Sequence, residues 1–285
     1  METRAETEAL AGVLAALDLR EVEPDVYAAA PYDDLGVVRS FGGQLIAQGL
    51  VAAARTVEGG VPAHSLHAYF LRPGDPDGET LFRVGRLRDG RRLRSRSVSV
   101  EQAGRVLATM TVSFAEPAPG FAHQADAPQS PPPETLPTLA EWTEPHGGLA
   151  DSWLGMRTVE TRVAPHPPAG PSLAWHRMAG TVPDNPLLHQ ALLVYLSDVT
   201  TLSAALVPHG FPLGIEEVDG VAWDAVSLDH AVWFHRPARA DDWLLFAQQT
   251  PAAADGRAFI RAEVFTRDGV LAASITQEGL FFEAT

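Results

Sequence analysis

The sequence contains no cysteine, which removes disulfides, thiolate zinc sites, iron–sulfur clusters and cysteine nucleophiles together. It contains no lysine either; all 21 basic residues are arginine, so a Schiff-base lysine and a phosphate-loop lysine are excluded. Thirty-six acidic residues outnumber them and give a formal charge of −15, which argues against nucleic acid or an anionic membrane as the main partner. No window approaches the roughly 20 apolar residues of a membrane span. The first residues lack the basic stretch that precedes the apolar core of a secretory signal, and a cytoplasmic protein is expected by default. HExxH, an EF-hand loop, GxGxxG and Gly-x-Ser-x-Gly are also missing. The pairs His64/His67 and His230/His235 have odd spacing in strands, which puts the partners on opposite faces. Neither a metal nor a cofactor is expected.

What is present is a globular composition, 46% hydrophobic over 285 residues, enough for one large domain or two ordinary ones. Seven prolines lie between Pro117 and Pro137. This stretch reads as an extended linker that packs outside the fold as a strap. The two flanking halves resemble one another. Tyr69-Phe70-Leu71-Arg72-Pro73 returns as Trp233-Phe234-His235-Arg236-Pro237, and Val106-Leu107-Ala108 returns as Val270-Leu271-Ala272, both at an offset of 164; Asp89-Gly90-Arg91 returns as Asp255-Gly256-Arg257, shifted by two more. Three matches in order indicate an internal duplication. We expect a first half over 1–116, a linker over 117–165 and a second half over 166–285.

Each half reads as one long helix followed by strands. Ser40 is placed to cap a helix from Phe41 to about Val57, stopped by Gly59-Gly60. In the second half Asn185 caps, Pro186 fits the first helical position, and the helix is expected to run through Leu187–Val207. The strands alternate with period two, and the Asp-Gly pairs sit where hairpin turns are needed. One helix and then antiparallel strands, twice over, is an α+β pattern.

Three polar residues sit at apolar positions. Asp198 interrupts a helical stripe of Leu188, Ala191, Leu192, Tyr195, Leu202, Ala205 and Leu206. A carboxylate there is costly unless paired. It is either a core aspartate bonded to Thr201 or to a backbone amide, or a functional acid. Gln277 shares a strand face with Leu271, Ala273, Ile275, Gly279 and Phe281, and reads as a buried structural amide or as a site residue. Ser227 starts the strand leading to Arg236-Pro237; a serine there is ordinarily structural. Asp229 and His230 are neighbours in a strand and point to opposite faces, so both cannot meet Ser227. Gly42, Gly43 and Gln44 open the first helix, where free amides can hold an oxyanion or phosphate, or where the backbone simply packs closely. Arg83–Arg105 holds eight arginines, read mostly as a solvated strand face, some within reach of substrate phosphates.

Taken together, several segments resemble the acyl-CoA thioesterase II (TesB-like) family. They are Phe41-Gly42-Gly43-Gln44, His64 through Gly74, Leu87-Arg88-Asp89-Gly90, Ser197-Asp198, Leu228-Asp229-His230 with Trp233 through Pro237, and Thr276-Gln277-Glu278-Gly279. The match fades between about Pro117 and His166. The resemblance implies a double hotdog, two helix-in-sheet halves fused in one chain, and hydrolysis of acyl-CoA to free acid and CoA. It implies Asp198, Ser227 and Gln277 as the catalytic set, acting through an activated water and without a covalent intermediate. A homodimer or larger assembly is implied by the same resemblance. By the offset of 164, Ser113 stands where Gln277 does and Ala63 where Ser227 does, so one site per chain is expected. A hotdog acyl-CoA hydratase or dehydratase, working with an acid and a histidine, is the rival enzyme; a non-catalytic acyl-CoA-binding module is the rival of another class.

Overall fold

The computed structural model describes residues 4–32, 39–149, 156–165, 170–214 and 223–283. Helix α1 is Arg4–Leu17, followed by the short strands β1 (Arg20–Glu23) and β2 (Val26–Ala29) and by helix α2 (Gly42–Arg55). Strands β3 (Ala63–Phe70), β4 (Thr80–Asp89), β5 (Leu93–Gln102) and β6 (Arg105–Ala115) complete the first half. The second half carries a short helix α3 (Leu139–Thr143), β7 (Val159–Ala164), β8 (Ser172–Met178), helices α4 (Pro186–Ser197) and α5 (Thr201–Ala204), and strands β9 (Trp223–Ser227), β10 (Asp229–Phe234), β11 (Leu244–Ala254), β12 (Arg257–Thr266) and β13 (Leu271–Glu283).

The strands form one antiparallel sheet in the order β1-β2-β4-β5-β6-β3-β10-β13-β12-β11-β8-β7, with β9 also on β13. The halves meet where β3 pairs with β10, Tyr69 opposite Asp229 and Ser65 opposite Trp233. Reading outward from this seam, β3-β6-β5-β4-β2 on one side mirrors β10-β13-β12-β11-β8 on the other. The alternation in β6 holds: Ala108, Met110, Val112 and Phe114 are buried, Thr109 and Thr111 exposed. The core is continuous across the seam, gathering α1, α2, α4 and the inner faces of both half-sheets. Burial of this apolar surface is the driving force for wrapping the sheet around the helices. The Asp255-Gly256 pair makes a tight turn with φ positive at both residues, the geometry that favours Asp-Gly there.

The proline-rich stretch crosses the second half. Trp175 Nε1 donates to Ser130 Oγ at 2.9 Å, Gln124 bonds the backbone of Gly269 and Leu271, and Glu134 meets Arg267 at 2.8 Å. Strand β7 lies inside the segment read as linker and pairs with β8.

Several expectations are corrected. The second helix does not run unbroken to Val207; it stops at Ser197 and restarts at Thr201. Asp198 and Thr200, with ψ of 0 and 6, leave the helical track where Ser, Asp and the β-branched Val199-Thr200-Thr201 all compete with helical hydrogen bonding. Phe41, not Ser40, is the cap residue of α2, and no side chain caps it. The stretch Pro186–His209 is in fact long and apolar enough for a span by composition, yet 83% of that window is buried in the fold. Arg96 is not on a solvated face: it is 1% exposed, donating to Thr56 Oγ1 and Thr56 O at the end of α2 and to Asp89. The duplication offset of 164 also fails for β13. Leu71 and Arg72 share Leu107 O, while His235 and Arg236 share Ala272 O. The offset is therefore 164 along β3/β10 and 165 along β6/β13, and Val112, not Ser113, stands where Gln277 does.

Candidate active site

Asp198 lies at the C-terminal end of α4 with its backbone N–H bonded to Tyr195 O and Leu196 O. Its side chain is 5% exposed. The break in the helix turns it away from a core stripe and against the N-terminus of α2, where the Gly43 backbone N–H donates to it. Of the two structural partners considered, Thr201 or a backbone amide, the amide is the one found; the Thr201 hydroxyl donates to Ser197 O at 2.6 Å. On the far side of the break, Thr200 is fixed by His176 at 3.0 Å and Gln248 at 2.9 Å.

Gln277, fully buried on β13, ties the site together. Its Nε2 donates to Asp198 Oδ1 at 2.8 Å and to Ser227 Oγ at 2.7 Å. Both amide protons are thereby used. Ser227 accepts from Gln277 and retains its own O–H for another partner. The sequence-derived triple of Asp198, Ser227 and Gln277 is thus brought together. Gly42 and Gly43 join it by backbone proximity. Gln44 does not: its Nε2 donates to Tyr32 O at 3.2 Å, which holds the side chain to the first half.

His230 stands three residues after Ser227, an odd spacing that regular strand counting assigns to the opposite face, yet it lies on the same face. Its Nδ1 is 3.0 Å from Gln277 Oε1 and its Nε2 is 2.8 Å from Ser197 Oγ. The reason is a bulge. Ser227 pairs with Gly279, but Ala231 pairs with Thr276, so four steps on one strand match three on the other. One extra residue turns an odd spacing into a shared face. Asp229 points elsewhere and accepts from the Glu278 backbone N–H at 2.7 Å. The first half has the same bulge between Ala63 and Ser65. There Ala63, Leu66 and Val112 take the places of Ser227, His230 and Gln277, and all three are buried and apolar.

Burial sets the charges. Desolvation pushes the Asp198 carboxyl up from 3.8 to about 6, against the bonds from Gln277 and Gly43 that favour its anion. Desolvation pushes His230 down from 6.5 to about 4, so near neutrality it is uncharged. The 3.7 Å approach of His230 Nδ1 to Asp198 Oδ1 is therefore not an ion pair. The positive end of α2 faces the carboxylate and favours its charged form. Among the described residues no cluster of histidine, aspartate and glutamate is arranged to hold a metal ion.

Residues 155–280 match the family model described as acyl-CoA thioesterase, and residues 28–115 match that of the acyl-CoA thioesterase N-terminal domain. Acyl-CoA thioesterase 2 of Haemophilus influenzae is 34% identical, with 87% of this chain and 89% of that protein covered. The chain belongs to the acyl-CoA thioesterase family. The acyl-CoA thioesterase II TesB2 of Mycobacterium marinum superposes with a TM-score of 0.80 at 35% identity, over 96% of this chain and 99% of that one. A hot dog fold protein from Alicyclobacillus acidocaldarius superposes at 0.77 with 19% identity over 96% of this chain and 98% of its own, a likeness of fold alone. This thioesterase is accordingly α+β, a double hotdog, and among the described residues the polar cluster of Asp198, Ser227, His230 and Gln277 belongs to its second half.

Proposed function

We propose that this acyl-CoA thioesterase hydrolyses acyl-CoA to a free fatty acid and CoA with one water molecule activated by Asp198. The observation that carries the mechanism is the double use of Gln277, whose amide protons bind Asp198 and Ser227 at once. Above about pH 6 Asp198 is a carboxylate, basic enough to take a proton from water near neutrality. Ser227, with its O–H uncommitted, orients that water or the thioester carbonyl. Gln277 contributes by holding the two groups in place, rather than by touching the water itself. The hydroxide oxygen forms a bond to the acyl carbon, the carbonyl π pair moves to oxygen, and collapse breaks the C–S bond. The proton taken by Asp198 goes to the departing thiolate, giving CoA and the acid. The N-terminus of α2, through Gly42 and Gly43, supplies the positive potential beside the reacting carbonyl.

The hydratase or dehydratase reading needs a histidine free to exchange a proton. His230, the histidine beside Asp198, has both ring nitrogens engaged and is fully buried, which disfavours it. A mere binding module has no need of a raised carboxyl. Release of CoA thiol from a panel of acyl-CoA chain lengths tests the activity, and the absence of cysteine keeps the protein from reacting with the thiol reagent. No thiol release on any chain length, with tight acyl-CoA binding, would favour the module. A cytoplasmic homodimer or larger assembly is part of the same proposal through the family resemblance; a lone 30.5 kDa species in light scattering would remove the assembly.

A further inference from the structure

We propose that His230 is a positioning residue for hydrolysis: its Nδ1–H locks the Gln277 amide in the one orientation that gives both amide protons to Asp198 and Ser227. The inference rests on Asp198 as the base. It starts from an ambiguity inherent in glutamine. The Gln277 amide has two faces of nearly equal shape, and only one serves a carboxylate. With Nε2 toward Asp198, Oε1 meets His230 Nδ1 at 3.0 Å, which requires the proton on Nδ1. The opposite ring nitrogen then accepts; Ser197 Oγ lies 2.8 Å from it, its one O–H shared with Val194 O at 2.7 Å. Ser197 is the residue before Asp198 and ends α4. One helix end therefore carries both the acid and the hydroxyl beside the second ring nitrogen of His230.

Geometry limits what else His230 can do. It is fully buried, with both nitrogens bonded, and its charge is suppressed by burial. The groups facing Asp198 are the Gly43 amide from α2, Gln277 from β13 and His230 from β10; of these His230 is the titratable one. Without a donor at its position, a flipped Gln277 would present Oε1 to Asp198. That arrangement suits the protonated acid, which can donate, and opposes the carboxylate. Loss of His230 must therefore raise the pH at which the base becomes active, which a packing role would not do.

The chain contains its own control for folding. Leu66 occupies the equivalent position in the first half, fully buried beside the equivalent bulge. His230→Leu places a side chain there that this fold already accepts. His230→Asn retains an N–H donor near the position of Nδ1.

The test compares the full-length protein with His230→Leu, His230→Asn, His230→Phe and Asp198→Asn, following CoA release from octanoyl-CoA between pH 4.5 and 9 and thermal unfolding of each. For His230→Leu we expect kcat to fall about 10- to 100-fold with KM within about twofold. Its acid limb of kcat/KM should move up by about one pH unit. His230→Asn should recover activity to within about fivefold and restore the limb. A folded His230→Leu with wild-type kcat and an unmoved limb overturns the proposal, as does an asparagine variant no better than leucine. Should His230→Leu not fold, His230→Phe decides: it keeps a flat ring and removes the donor, so it should cost about 10-fold or more in kcat and raise the limb, and an unmoved limb overturns the role. Asp198→Asn separates the two levels. If it keeps near wild-type activity, the base and the positioning role fall together; if it is inactive while His230→Leu is unaffected, the positioning role alone falls.

Discussion

Gly42 and Asp198 approach so closely that a β-carbon at position 42 would lie 2.8 Å from Asp198 Oδ2, with Phe70 Cζ at 3.1 Å. The contact joins the first half to the second, since α2 belongs to one and Asp198 to the other. Asp198 cannot retreat freely, because Gln277 holds its other oxygen. Gly42→Ala should therefore displace the carboxylate and lower kcat by about 10-fold or more, as small misplacements of reacting groups do. Steady-state CoA release checks it; a variant at wild-type kcat would show that this contact is irrelevant to the chemistry.

Asp198→Asn should remove the base and cost about 100-fold or more in kcat. It should also stabilise the fold. The carboxyl has a folded pKa of about 6 against 3.8 in water, so this group contributes its most favourable balance below about pH 4. Stability is lost as pH rises through the interval to 6, reaching a cost of about 3 kcal/mol above it. Asn carries no such cost. Its thermal midpoint should exceed the wild type's at pH 8, and the difference should vanish near pH 4. A midpoint difference of the same size at both pH values would mean that the carboxylate is not desolvated.

The same shift governs catalysis in the wild type. kcat/KM should fall with a slope of one below about pH 6 as Asp198 takes up a proton. His230 should add no second step until about pH 4. A pH–rate profile on a good acyl-CoA substrate measures this, and a limb steeper than one proton near pH 6 would contradict it.

Ser227 distinguishes water from covalent chemistry. Its oxygen accepts from Gln277 and lies at the end of β9 with no nucleophile elbow around it. Ser227→Thr should keep most activity. Ser227→Ala should lose about 10- to 100-fold, equivalent to about 1.4 to 2.7 kcal/mol of transition-state bonding. Mass spectrometry of protein quenched during turnover should find no acyl adduct. An acylated Ser227 peptide would replace the activated water with a serine nucleophile.

Arg96 offers a test of stability alone. It is buried at the end of α2 in the half that lacks the polar cluster, donating to the Thr56 and Arg88 carbonyls and to Asp89. Arg96→Leu should destabilise by about 3 kcal/mol or more, because it leaves buried acceptors unpaired. kcat of the remaining folded protein at low temperature should stay near wild type; a large fall in kcat there would tie this helix end to the active site.

Much of the site could be read from residue type against pattern. Asp198 in an apolar helical stripe and Gln277 on an apolar strand face are costly placements, and both prove buried and bonded to each other. The duplicated Arg-Pro and Asp-Gly segments likewise indicated paired halves before any strand was placed. That His230, rather than Asp229, shares the face of Ser227 and Gln277 is not legible from the sequence, because counting by twos along a strand assumes regular pairing. The bulge between Ser227 and Ala231 adds one residue, and nothing local to Ser227-Leu228-Asp229-His230 marks it.

The sequence by itself determined the α+β pattern, the two helix-and-strand units and the polar residues whose burial must be compensated. These follow from periodicity and transfer free energy, which are properties of neighbouring residues. Tertiary structure decided the helix break that aims Asp198 at Gly43, the bulge that brings His230 beside Gln277, and the one-residue slip that puts Val112 in the place of Gln277. Each depends on a partner far away in the chain, since the face a side chain occupies is fixed only when its strand is paired. A single inserted residue then reverses every face beyond it.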